Sequence, residues 1–233
     1  MAKDETRGHG HSHDHGHSHD HAHPHDHNDP HDPIEIREGA GEYEIMVHAI
    51  KELLIEKGVV KPEQIRKAIE FMDSRTPALG ASIVAKAWTD PAYKKRLMED
   101  GTAAAAELGV GMGDAELIVV ENTPQVHNVV VCTLCSCYPR TVLGLPPDWY
   151  KSRNYRSRVV IEPRAVLQEF GTVVPDNVVM RVHDSNADMR YIVLPMRPKG
   201  TEGWNEDKLA SIVTRDCMVG VAVPKADAKV AAE

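Results

Sequence analysis

From residue 42 the apolar positions recur with a helical period. Met46, Ile50, Leu53 and Leu54 fall at i, i+4, i+7 and i+8, and Gly58 ends the run. Pro62 suits the first position of a second helix carrying Ile65, Ala68, Ile69 and Met72. A third segment carries Leu79, Ile83 and Ala87. Asp90-Pro91 predicts a cap and a helix-opening proline, leading through Tyr93 and Leu97 to Gly101. The short run TAAAAELG closes this part. Strand signal is nearly absent here. Several short helices predict an arm over residues 34–113 that packs against something else rather than a self-sufficient bundle.

Near residue 114 the period changes. AELIVVE, NVVV, SRVVI, NVVMRV and RYIVLPM are β-branched runs bounded by Pro, Gly, Asn and Asp, and each predicts a strand. Helices are expected at Pro163–Gly171 and in NEDKLASIV, where Asn205 can cap. The second part, residues 114–224, is therefore α+β with an extensive sheet, followed by a tail over 225–233. No internal repeat is seen.

Residues 1–33 have no such pattern. HGHSHDHGHSHDHAHPHDHNDPH places a histidine at nearly every second position and has no apolar residues to bury, so it reads as disordered. Imidazoles at this density bind divalent metal; a metal store and a merely solvated tail are level readings. The segment holds seven acidic and two basic residues, so it contributes −5 of the net −8. No basic face predicts nucleic acid, and no Lys/Arg-rich amphipathic helix predicts a membrane surface. No apolar run approaches the roughly 20 residues that span a bilayer, and a secretory leader's apolar stretch is missing. A cytoplasmic location is the default.

Composition leaves one anomaly. Three of the four cysteines lie within six positions, as Cys132-Thr-Leu-Cys135-Ser-Cys137. A secreted disulfide framework does not look like this. A structural zinc site wants a fourth ligand, which would be His127 or the distant Cys217. A thioredoxin-like motif needs two thiols opening a helix, and the third cysteine and Tyr138-Pro139 spoil that context. The third explanation is a claw. In a tight turn the main-chain nitrogens of Ser136 and Cys137 can face the same point as the thiolates of Cys132, Cys135 and Cys137. That donor set suits a transition metal with one open position, as Lewis-acid hydration requires.

VCTLCSC followed by YP, LGLPPDWYKS, YRSRVV and EPRAVLQEFG resembles the metal-binding subunit of the nitrile hydratase family. That family includes nitrile hydratase alpha subunits and the related gamma subunit of thiocyanate hydrolase. The likeness runs from about Ile50 to Pro224 and takes in KAWTDPAYKKRL, RYIVLP and VTRD. It implies an N-terminal helical arm followed by a layered α-β-β-α metal-binding domain. Cys132, Cys135, Ser136 and Cys137 would hold one trivalent metal per chain, with Cys135 as sulfinate and Cys137 as sulfenate. Thr133 points, by the same resemblance, to non-corrin cobalt rather than iron, and it is a candidate pocket residue. The implied reaction is hydration of a carbon–nitrogen triple bond, with Cys135, Ser136 and Cys137 at the reacting centre. The Cys137 oxygen acts as nucleophile or as base toward water. The resemblance also implies one or more beta-type partner subunits in a hetero-oligomer, and an activator protein that inserts cobalt.

Two positions depart from the commoner pattern, Arg140 and Gly113, the latter where such subunits tend to carry Gln. Nitrile hydratase alpha subunits usually carry Trp after the Tyr-Pro, whereas this chain has Arg140. A guanidinium within reach of the metal favours an anion such as thiocyanate over a neutral nitrile. CSCYPR, EGW and TRDC with GVAVP are similar to thiocyanate hydrolase, while LGLPPDWYKS and ALGASIVAKAWTDP are similar to nitrile hydratase. Nitrile hydratase is the first expectation, thiocyanate hydrolase the second, and a non-catalytic metal-binding protein the third. Arg140 could instead face solvent or a partner. Cys217 reads as a buried small hydrophobe; His48, His127, His183, Tyr191 and Trp204 read as structural.

Overall fold

A computed structural model describes residues 41–226 apart from Ser136. The His-rich segment, most of the expected C-terminal tail and the call on Ser136 therefore lie outside the described residues. The chain opens with α1 (Glu42–Glu56), which stops at Gly58 with φ 66°. Three proline-started helices follow: α2 (Pro62–Asp73), α3 (Pro77–Thr89) and α4 (Pro91–Glu99). The Asp90 carboxylate accepts from the amides of Ala92 and Tyr93, the cap that the Asp-Pro pair predicts. Asp100 does the same for α5 (Gly101–Glu107) through the Ala103 amide.

Strands begin with β1 (Glu116–Glu121) and β2 (Val126–Val131). They do not join the extensive sheet expected from the β-branched runs. β1 pairs in parallel with β4 (Met189–Leu194), and β2 pairs in parallel with β3 (Val179–Asp184), giving two separate two-stranded sheets. The reason lies in burial. β2 is buried at five of its six positions, so both its faces are covered and neither is left for polar alternation. A helical layer of α3, α10 (Glu206–Ala210) and α11 (Arg215–Val219) packs against this pair of sheets, while α9 (Pro163–Glu169) packs on β3. The architecture is α+β and layered. Asn205 caps α10 through the Lys208 amide, as its position predicts.

One strand expectation fails. SRVVI forms the end of α8 (Arg153–Arg158) and the turn after it. Ser152 caps that helix by accepting from the Tyr155 amide, and Arg158 pairs with both Glu162 and Glu169. Val159 is buried, but Ile161 is 81% exposed, so the run has no apolar face to offer a sheet. Capping and ion pairing override β propensity here.

A single buried cluster takes in Ile83 and Val84 of α3, Tyr93 and Leu97 of α4, Val129 and Val130 of β2, and Ile192 and Val193 of β4. By contrast, no residue of α1 or α2 is buried. Among the described residues no helix is long and apolar enough to cross a membrane.

Candidate metal centre

β2 runs into the cysteine loop. Because β2 and β3 are parallel and in register, Val131 lies opposite Asp184, and the Ser185 amide binds the Val131 carbonyl at 2.7 Å. Cys132 thus leaves the sheet at its C-terminal edge, nearly fully buried. Cys135 is exposed and Cys137 half-buried.

The three sulfurs converge. Cys132 and Cys135 Sγ are 3.5 Å apart, Cys135 and Cys137 Sγ are 3.3 Å apart, and all three lie within 4.8 Å of one another. These separations exceed the roughly 2.05 Å of a disulfide and suit three bonds of about 2.3 Å to one ion. No His or carboxylate joins the group among the described residues. The donor set is soft, and a transition metal fits it better than magnesium or calcium. Burial, the Cys135 hydrogen bond and the Cys132 charge together push the Cys137 thiol up to about 12, while Arg190 pulls it the other way. A bound cation reverses that preference by favouring the thiolates.

The loop is fixed from behind. Thr133 donates its amide (2.9 Å) and its hydroxyl (2.5 Å) to the two oxygens of Asp184. Tyr150 of α7 (Asp148–Lys151) donates its hydroxyl to the Cys137 carbonyl at 2.9 Å, and Tyr155 donates to the Val130 carbonyl at 2.7 Å. Both rings are buried, which raises both phenol pKa values. Tyr138 meets Tyr150 edge-on with ring centroids 4.9 Å apart.

In front of the loop is an open cavity of about 380 Å³, lined by Cys135, Cys137, Met112, Tyr138, Arg140 and Arg190 among others. Arg140, at the start of α6 (Arg140–Leu143), therefore lines the cavity with the cysteines. Thr133 is not among the residues lining this cavity; its hydroxyl donates to Asp184 and helps to hold the loop. Cys217 is buried on the Thr214 hydroxyl and takes no part in the sulfur group, in line with its reading as a small hydrophobe.

Three participants escaped the sequence. Asp184 and Arg190 sit in strands and read there as boundary residues, and Tyr150 reads as one aromatic among several. Their signal is register. The pairing of β2 with β3 sets Asp184 opposite Val131, and Arg190, opposite Leu117 in the pairing of β1 with β4, shares the cavity with Cys135 and Cys137. His127 and His183 hold the strands, through the Gly220 carbonyl (2.7 Å) and Asn128 Oδ1 (2.8 Å), and burial lowers both their pKa values.

Residues 41–222 match the family described as nitrile hydratase, alpha chain. The cobalt-containing nitrile hydratase subunit alpha of Pseudonocardia thermophila is 52% identical over 188 residues, covering 79% of this chain and 92% of that one. Thiocyanate hydrolase subunit gamma of Thiobacillus thioparus is 48% identical over 205 residues, covering 83% and 84%. Among solved structures, a double mutant of an Fe-type nitrile hydratase from Comamonas testosteroni Ni1 superposes with TM-score 0.76 at 42% identity, over 82% of this chain and 95% of that one.

Proposed function

The chain belongs to the nitrile hydratase alpha-chain family, and from that premise we propose that it is the metal-binding catalytic subunit of a nitrile hydratase. The single observation that carries this is the gathering of three sulfurs from one loop, two of whose cysteines, Cys135 and Cys137, line an open cavity. Cys132, Cys135 and Cys137, with Ser136 between the last two, would hold one metal, with Cys135 as sulfinate and Cys137 as sulfenate. Thr133 and the cobalt-containing relative favour non-corrin cobalt; the Fe-type neighbour keeps iron as the competitor. When bound, such a metal supplies Lewis-acid polarisation and an open coordination position.

The chain's own residues do the rest. Asp184 and Tyr150 hold the loop backbone at Thr133 and Cys137, so that the sulfurs converge without a search at the moment of binding. Cys137 lines the cavity, and a sulfenate oxygen on it would accept the proton of the attacking water or add to the nitrile carbon itself. The product is an amide.

A beta-type partner completes the reading. Among the described residues no side chain of α1 is buried, and the cavity in front of the cysteine loop is open. The four cysteines form no disulfide, which accords with a cytoplasmic site of action, where cobalt would be inserted by an activator protein. The test is metal analysis and mass spectrometry of the loop peptide from the assembled complex, beside a nitrile hydration assay. About one cobalt per chain, with two oxygenated cysteines and amide formation, is the expected result. Stoichiometric zinc on three unoxidised thiols would overturn the proposal.

A second reading has its own observation. Arg140 lines the cavity where the commoner sequence has an aromatic wall, and thiocyanate is an anion. Hydrolysis of thiocyanate to carbonyl sulfide and ammonia is the competing activity, separated from the first by assaying both substrates.

A further inference from the structure

One wall of the cavity in front of the cysteine loop has no part in the chemistry proposed above. Between α5 and β1 the chain passes through Gly111-Met112-Gly113. Both glycines are exposed, yet Met112 between them is only 7% exposed and belongs to the buried cluster. Gly113 has φ 65°, which glycine adopts without steric cost. An unbranched thioether has three rotatable bonds and fills irregular space, so its own structure does not decide where it lies. Here a hydrogen bond decides. The Thr141 hydroxyl of α6 donates to Met112 Sδ at 3.0 Å, tying this segment to the helix that begins with Arg140. Both partners of that bond line the cavity.

The other lining residues offer little to a hydrocarbon group. Cys135 and Cys137 belong to the sulfur group, Arg140 and Arg190 are cations, and Ala115 and Pro139 are short. The Tyr138 ring is packed edge-on against Tyr150. Met112 is thus the one long, flexible apolar side chain on the cavity wall among the described residues. At about 380 Å³ the cavity also stands near the lower end of the roughly 300–1,000 Å³ usual for ligand sites.

We propose that Met112, held by Thr141, is a specificity-determining residue: its thioether is the wall against which the substrate's organic group lies, and it restricts that group to a short aliphatic chain. The inference rests on the cavity being the substrate site and deepens that reading by naming the substrate class, small aliphatic nitriles. A side chain free to swing would yield to a larger group. One that is buried in close-packed surroundings and bonded at its sulfur yields less, so branched and aromatic nitriles are disfavoured. In an apolar pocket one methylene decides roughly 10- to 200-fold in kcat/KM.

The experiment uses the assembled, metal-loaded complex with propionitrile and benzonitrile as probes. The quantity read is the ratio of kcat/KM for benzonitrile to that for propionitrile. Met112→Ala is expected to raise it by at least about tenfold, the lower bound for one methylene of apolar space. Met112→Leu, which nearly conserves volume, should leave the ratio near the wild-type value. Thr141→Val keeps the shape, removes the donor and should raise the ratio about threefold, the scale of a weak hydrogen bond. A merely structural Met112 predicts equal losses for both nitriles and an unmoved ratio, which overturns the proposal. If Met112→Ala fails to assemble, Thr141→Val carries the test, and an unmoved ratio there overturns it too. Ligand-observed NMR gives Kd for the same pair, so the ratio is read from binding as well as from turnover. A complex that hydrates neither nitrile but shows the shifted ratio in Kd removes the nitrile hydratase reading and leaves this inference standing. Hydration of both with an unmoved ratio removes this inference alone, and binding of neither removes both.

Discussion

Behind and in front of the cysteine loop the same few residues meet opposite conditions. Behind it, the carbonyls of Val130, Val131, Thr133 and Cys137 are each bound, by Tyr155, Ser185, Arg156 and Tyr150 respectively. In front of it, Arg190 has a sealed nitrogen without an acceptor, and the tip residue Leu134 is 89% exposed. The floor's carbonyls find donors within this chain, although Arg156 Nε lacks an acceptor as Arg190 Nη1 does, while the rim leaves Leu134 to solvent. A loop that must present three sulfurs to one ion needs a rigid support, which parallel pairing and buried phenols provide. A rim meant for substrate, or for another subunit, cannot be satisfied in the same way without closing the cavity. The difference predicts that floor substitutions cost stability or metal affinity, whereas rim substitutions change substrate choice at little cost to folding.

The largest expected effect tests the floor from beneath. Gly220, after α11, has φ 91°, and a Cβ there would stand 2.2 Å from the Asn128 carbonyl of β2. Gly220→Ala must strain the backbone or push away the strand that leads into Cys132. A loss of at least ~3 kcal/mol in unfolding free energy is expected by denaturant titration. A loss below ~1 kcal/mol would show that β2 is looser than a floor should be. Next comes Asp184→Ala, which removes both bonds to Thr133. Cobalt affinity should fall roughly 10- to 100-fold in competition with a chelator, the usual effect of losing an outer partner of a metal loop. Unchanged affinity would mean that the Thr133 latch does not orient the sulfurs.

How much of this was legible beforehand divides along the same line. Local signals sufficed for the helices: Asp90, Asn205 and the prolines at positions 62, 91 and 163 sit where capping and fixed φ require them. The cysteine spacing sufficed for the floor's chemistry, since three thiols within six positions can converge without help from distant chain. The sheets were not legible, because β-branched runs report burial and not partners; β2 bonds to a strand about 50 residues away and not to its neighbour β1. For the same reason Asp184 and Arg190 could not be assigned, whereas Arg140, only three residues from Cys137, could. SRVVI failed because caps and ion pairs around it outweighed its composition.

At the rim, Arg140→Trp should leave stability within about 0.5 kcal/mol, since the residue is exposed and starts only a short helix. Its effect belongs in kcat/KM. Thiocyanate turnover or inhibition should weaken by about tenfold, while aliphatic nitriles are spared or improved, and high salt should narrow the gap. Parallel, modest changes in both substrates would place Arg140 among solvent contacts and erase one half of the rim.

The smallest effect is expected where unfinished surface is most extensive. In α1 the side chains of Tyr43, Ile45, Val47, Ile50 and Leu53 are all exposed, and no residue of the helix is buried. Apolar surface at this density on one helix is a partner-seeking face of the same kind as the rim, and unlike α3, whose Ile83 and Val84 sit in the core. Ile50→Ser tests that distinction cleanly, because the two residues have nearly equal helix propensity and the change removes apolar surface alone. Unfolding of the isolated chain should shift by less than about 0.5 kcal/mol, the range of an uninvolved surface position. Association with the beta-type subunit should weaken measurably in the same protein, by sedimentation or titration. A loss above about 1 kcal/mol in the isolated chain would mean that α1 packs on its own body. The division between a finished floor and unfinished outer surfaces would then stop at the rim.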